Sequence, residues 1–192
     1  MKMIRNVIII CILLIISAFQ QESKDNKIWW TKDRKLTWDN FNASPDNNNK
    51  DGARTYSGYS CDPYTIKKSS DSITLVIKCY FNKNTSWVKE YAKTDLVLKH
   101  EQCHFDITEL NARKFRKLIS TYKFSKITFD QVFKSLFDSS HKEWFADQDF
   151  YDKETNHSRN ETKQLEWEKT VVQGLKDLDS YSGTTLVVYF SK

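Results

Sequence analysis

Between Asp95 and Tyr122 the chain reads DLVLKHEQCHFDITELNARKFRKLISTY, a stretch without Gly or Pro that is rich in helix formers, with Asp95 placed to cap it. One long helix is expected there. His100 and His104 are four residues apart, which on a helix of 3.6 residues per turn sets the two imidazoles about 40° apart, one turn above the other. Both can reach one metal ion. Glu101 lies about 100° from His100, where its carboxylate is not a ligand but can take a proton from a water held at the site. The pattern His-Glu-x-x-His therefore predicts a metal centre with Glu101 as general base, and imidazole ligands suit zinc. His100 and His104 also share a face with Leu96, Val97, Ile107, Phe115 and Leu118, as two core histidines would. With only four His in 192 residues, however, the spacing is unlike a chance one. Lys99, just before the first His, is the one residue out of keeping.

A catalytic zinc takes three protein ligands and leaves a fourth position open, so a third ligand is needed. Glu109 is nearest in sequence, but it lies about 180° from His100, on the side of Asp95, Gln102, Arg113 and Arg116, and is expected to be solvated or to support a ligand. His157, in the polar segment from Tyr151 to Asn160 read as a loop, is the first choice. Glu143 comes second, with Asp147 one turn on, followed by His141.

Outward from this helix, a second is expected from near Thr128 toward Asp149, through Val132, Phe133, Leu136, Phe137, Trp144 and Phe145. A third spans residues 161 to 178, through Leu165, Trp167, Val171, Leu175 and Leu178, and Thr184 to Phe190 reads as a last strand. On the N-terminal side, residues 24–52 suggest a strand followed by an Asn- and Asp-rich loop. Residues 53–68 and 72–82 read as a hairpin turning at Ser69-Ser70-Asp71. A turn centred on Ser70 sets Cys61 opposite Cys79 and predicts a disulfide between them, leaving Cys103 as a small buried thiol. The fold class expected is α+β, with a small antiparallel sheet or hairpin on a long metal-binding helix and two further helices.

The first residues carry Lys2 and Arg5, then an apolar run from Val7 to Ile16 too short to span a bilayer, then polar residues. Residues 1–18 are expected to be a secretory signal peptide cut after Ala18, or else a retained anchor, so the domain 19–192 is expected to be secreted or periplasmic. Removing Lys2 and Arg5 takes the basic residues from 30 to 28 against 25 acidic ones, a net charge of +3. So small an excess, spread along the chain, excludes a nucleic-acid footprint. No stable membrane insertion is expected after signal cleavage.

The segments Ser86-Trp87-Val88, Leu98 to Ile107 with Glu109-Leu110 and Ala112-Arg113, Tyr151-Asp152 through Glu154-Thr155 to His157, and Gln164 with Trp167 resemble a family of secreted bacterial proteins. These are described as zinc-dependent proteases and catalogued as a domain of unknown function. The resemblance covers most of the mature chain and implies a zincin-like fold, zinc on His100, His104 and His157, and peptidase activity. It also implies that Tyr151 lines the site, where it can donate to a developing oxyanion or simply close the core. The chain departs from the family pattern at Cys103 and Ser158, where Gly is frequent, and neither change removes a ligand. The expected partner is a peptide or amide substrate, bound extended beside the hairpin. A cell-wall amidase using the same centre, and a secreted module holding an inert, fully liganded zinc, are the alternatives.

Overall fold

The computed structural model describes residues 26–191, so the expected signal segment lies outside the described residues. The architecture is α+β, with helices α1 (Asp95–Thr121), α2 (Phe129–Thr155) and α3 (Glu161–Asp177) and strands β1 (Lys27–Trp29), β2 (Ala53–Arg54), β3 (Ser57–Cys61), β4 (Ser72–Asn82), β5 (Trp87–Val88) and β6 (Thr185–Tyr189). No helix among the described residues is long and apolar enough to cross a membrane.

β4 organises the sheet. β3 pairs with it antiparallel along one edge, from Ser57 opposite Phe81 to Cys61 opposite Ile77. The other edge is shared end to end by β6, opposite residues 72–76, and β1, opposite residues 80–82. Ile77 N donates to Thr184 O at 2.8 Å, and Cys79 O accepts from Trp30 N at 3.0 Å, which continues the two short ladders toward each other. Between them Ile77 O is left without a strand partner and accepts instead from Arg116 Nη1 at 3.1 Å. β2 and β5 form a separate two-stranded ladder.

α1 packs against the sheet through Phe105, Ala112, Phe115 and Ile119, which join Leu75, Ile77 and Phe81 in the main core. Its other side receives α2 and α3 around a smaller cluster of Cys103, Ile107, Tyr151 and Val171. A helix covered on both sides must bury polar residues as well. Glu109, Arg113 and Arg116 are the largest instance, each almost wholly buried. Glu109 Oε1 accepts from Arg113 Nε at 2.9 Å and from Arg116 Nη2. Arg113 Nη1 donates onward to Leu175 O at 2.6 Å and Arg116 Nε to Tyr181 O at 2.7 Å. Glu109 is thus neither solvated nor near the histidines; it ties α1 to β4, to the end of α3 and to the turn that follows.

Four other expectations change. The cap of α1 is Thr94, whose Oγ1 accepts from Val97 N at 3.3 Å, rather than Asp95. The segment 53–68 divides into β2, which pairs with β5, and β3, which ends before Pro63, a residue without the N–H that a continuing ladder needs. The connection to β4 therefore runs from Asp62 to Asp71, and the register places Tyr59, not Cys61, opposite Cys79. Cys61 and Cys79 are both free thiols, so the expected disulfide is absent, whereas Cys103 is buried as expected. Finally, α2 does not stop at Asp149 but continues to Thr155, and the loop shrinks to residues 156–160. Its last turns bury Tyr151 and Thr155 against α1 and α3, so that stretch lacks the apolar periodicity by which a helix is read from sequence.

Removing one partner of a buried ion pair leaves the other charge uncompensated, at a cost of about 3–5 kcal/mol. Arg116→Leu is expected to lower the unfolding free energy by about that amount in urea titrations. A loss below about 1 kcal/mol, the range of exposed pairs, would show that the network is not holding the helix.

Candidate metal centre

The connection between α1 and α2 is short, so the two helices run antiparallel and face each other turn by turn. Thr108 Oγ1 accepts from Trp144 Nε1 at 3.1 Å, His104 bonds to Gln148, and His100 bonds to Asp152. The spacing of four that aligns His100 with His104 on one helix is met by the same spacing between Gln148 and Asp152 on the other.

Asp152 Oδ1 lies 3.0 Å from His100 Nε2 and 3.0 Å from His104 Nε2, and the two Nε2 atoms are 3.2 Å apart. The outer nitrogens of both rings face side-chain amides whose orientation is fixed by further bonds. Gln164 donates through Nε2 to Glu168 Oε1 at 2.9 Å, turning its Oε1 toward His100 Nδ1 at 3.0 Å, where Tyr151 also donates to it at 2.6 Å. Gln148 donates through Nε2 to His104 O at 2.9 Å and to Thr108 Oγ1 at 3.0 Å, turning its Oε1 toward His104 Nδ1. Each Nδ1 therefore carries a hydrogen, and a neutral ring presents its Nε2 lone pair to the common point.

Three acceptors converging at about 3 Å repel one another unless a cation lies between them. A tetrahedral zinc with bonds of about 2.0–2.1 Å would hold its ligand atoms about 3.3 Å apart, close to the spacing observed. His100, His104 and Asp152 are thus a group able to hold a metal ion. Without metal a proton takes that place: burial opposes a charge on His104, but the hydrogen bond and charge of Asp152, helped by Glu101 and Gln148, hold its pKa up at about 9. Burial likewise opposes the charge of Asp152, and the hydrogen bonds and charges of the two histidines outweigh it, keeping the carboxyl well below its ordinary range.

The group opens onto a cavity of about 450 Å³ walled by β2 and the start of β3, by Tyr91 to Val97, by α2 and by residues 157–159. Glu101 lines it and is 4 % exposed, and its Oε2 is a buried side-chain oxygen with no hydrogen-bond partner. Such an atom costs free energy unless a ligand or water meets it, and it sits where the sequence expects the general base.

Of the expected site residues, His100, His104 and Glu101 come together. The third position beside the histidines is filled by Asp152, which went unassigned because its segment reads as a loop rather than as two more turns of α2. The pairing of Gln148 with Asp152, four apart and facing the two histidines, is the signal that marks it. His157 stands at the rim, half-exposed, with Nδ1 3.7 Å from both Asp152 Oδ1 and Asp51 Oδ1. Asn156, His157 and Ser158 all have positive φ, 50°, 50° and 70°, a left-handed turn of non-glycine residues that holds the imidazole there. Tyr151 does not line the cavity: it is fully buried, stacks on His100 with ring centroids 4.7 Å apart, and its hydroxyl is taken by Gln164. Of the two roles expected of it, it takes that of closing the core and packing the His100 ring in place, and its hydroxyl does not face the cavity where an oxyanion would form. Glu143 is exposed and outside the cavity, and His141 packs on Tyr59 with its Nδ1 at 3.0 Å from Phe137 O. Comparison of the chain with protein-family models, curated proteins and solved structures found no match.

A pKa raised in the folded state stabilises the fold below the unfolded value, near 6.5 for His, and that contribution is lost as pH rises through about 9. The thermal midpoint of the metal-free protein is therefore expected to fall between about pH 7 and pH 9.5, and Asp152→Asn to flatten this slope. An equal slope in the two proteins would mean that Asp152 does not hold the proton on His104.

Proposed function

We propose that this chain is an exported, zinc-dependent hydrolase of peptide or amide bonds, zincin-like in its helix chemistry, with zinc on His100, His104 and Asp152 and Glu101 as general base. The observation that carries it is the meeting of two features in one cavity: three converging acceptor atoms, and a buried carboxylate oxygen left without a partner.

Two imidazoles and a carboxylate make a ligand set used by catalytic zinc, with a further position left for water or substrate. When bound, zinc supplies a Lewis acid that polarises a carbonyl and lowers the pKa of water toward about 7. Glu101 accepts the proton released as the water oxygen bonds to the carbonyl carbon, and returns it to the amine nitrogen as the C–N bond breaks. Gln164 and Gln148 hold the histidine rings in the tautomer that leaves Nε2 free, and Tyr151 packs the first ring in place. Residues 53–57 form one wall of the cavity, where an extended backbone can lie beside β2. Export rests on the charged and then apolar order of the first residues. His157 remains at the rim as the residue that a rotation would bring in; a site closed by it as a fourth protein ligand would be inert.

Elemental analysis is expected to find about one zinc per chain, lost in His100→Ala and Asp152→Ala and kept in His157→Ala. Glu101→Gln is expected to keep the zinc and slow peptide hydrolysis by about 10²–10⁴-fold. Zinc kept in Asp152→Ala but lost in His157→Ala would return the third position to His157, and no zinc in the metal-supplemented wild type would sink the hydrolase.

A further inference from the structure

The cavity beside the metal group carries more charge than its chemistry uses. Lys50, Arg54 and Arg159 line it, the first two from the approach to β2 and β2 itself, the third from the loop that follows the left-handed turn. All three are exposed, and no carboxylate among the described residues lies within 4.0 Å of any of them. This is not for want of acids nearby. Asp51 and Asp149 line the same cavity, yet the nearest basic partner of Asp51 is His157, and Asp149 has none among the described residues. The two buried arginines, Arg113 and Arg116, by contrast share the carboxylate of Glu109. The Arg54 guanidinium is further steadied over the ring of Tyr56, 5.6 Å from its centroid, which limits the rotamers it must give up on binding.

Resting on the hydrolase proposed above, we infer that Arg54 and Arg159, which line the cavity of the metal group, bind a carboxylate of the substrate, so that the preferred peptide or amide carries a negative charge near the bond that is cut. Guanidinium groups suit this role because a planar fork matches a carboxylate and stays charged at every physiological pH. The two arginines come from segments far apart in sequence, and both line this cavity together with His100, His104 and Asp152. Lys50 adds charge without the fork geometry. Carboxylates occur both at a peptide C-terminus and on acidic side chains, and either source presents the same group.

Binding of three hydroxamates to the zinc-loaded protein separates these possibilities, because a hydroxamate needs only an open metal position and not turnover. The probes are hydroxymalonamoyl-alanine amide, which is neutral, the same compound with a free C-terminal carboxylate, and hydroxymalonamoyl-glutamate amide, with a side-chain carboxylate. At least one anionic probe is expected to bind about five- to tenfold tighter than the neutral one, and which one identifies the source of the carboxylate. The advantage is expected to disappear in Arg54→Gln/Arg159→Gln, with the affinity for the neutral probe and the thermal midpoint unchanged. Equal binding of all three by the wild type, or an advantage that survives in the double variant, overturns the inference. Failure of every probe to bind a zinc-loaded protein removes the open metal position, and with it the hydrolase as well.

Discussion

A single buried carboxylate, Glu109, shared between Arg113 and Arg116, is the constraint around which the protein is arranged. The two guanidiniums use their remaining donors on main-chain carbonyls of β4, of the last turn of α3 and of the turn beyond it. Buried ion pairs are weak evidence of net stability, since desolvation offsets much of the attraction. Their geometric consequence is firmer. With Glu109 fixed in rotation about the axis of α1, His100 and His104, some two turns earlier on the same rigid helix, have only one direction in which to point.

That direction is toward α2, and the two helices divide the labour between them. α1 brings both imidazoles and Glu101; α2 answers with Asp152, with Gln148 behind one ring and with Tyr151 against the other. α3 adds Gln164, whose Oε1 faces the outer nitrogen of His100. Apart from the rim, the parts that set the geometry of the site lie on helices rather than loops, which holds them to tight tolerances. The loop contributes only what borders the cavity, and there the backbone is forced into the left-handed region over three successive residues.

What the sequence disclosed follows from how each element is recognised. α1 was legible because its motif and its lack of breakers agree, and the histidines and Glu101 came with it. α3 and β6 were legible from apolar period alone. The end of α2 was not, because its buried residues, Tyr151 and Thr155, carry hydroxyls, Asp152 faces the histidines, and together they break the apolar pattern that betrays a helix; losing those turns hid Asp152 and drew attention to His157. Glu109 was misplaced for a related reason, since a charged residue opposite the site reads as solvated until its two arginine partners are seen to be buried with it. The cysteine pairing failed on register: Tyr59 faces Cys79, and no composition argument locates where β3 stops.

The division of one edge of β4 between β1 and β6 also fixes the order in which the chain can be finished. During synthesis β3, β4 and α1 are available long before Thr185 emerges, and pairing Ser72 with Tyr189 closes a loop of more than two thirds of the described chain. Until then the half of β4 that carries Ile73 and Leu75 has an unpaired backbone edge, the kind that templates association between chains. Among the described strands, the last to be made is thus the one that seals the sheet.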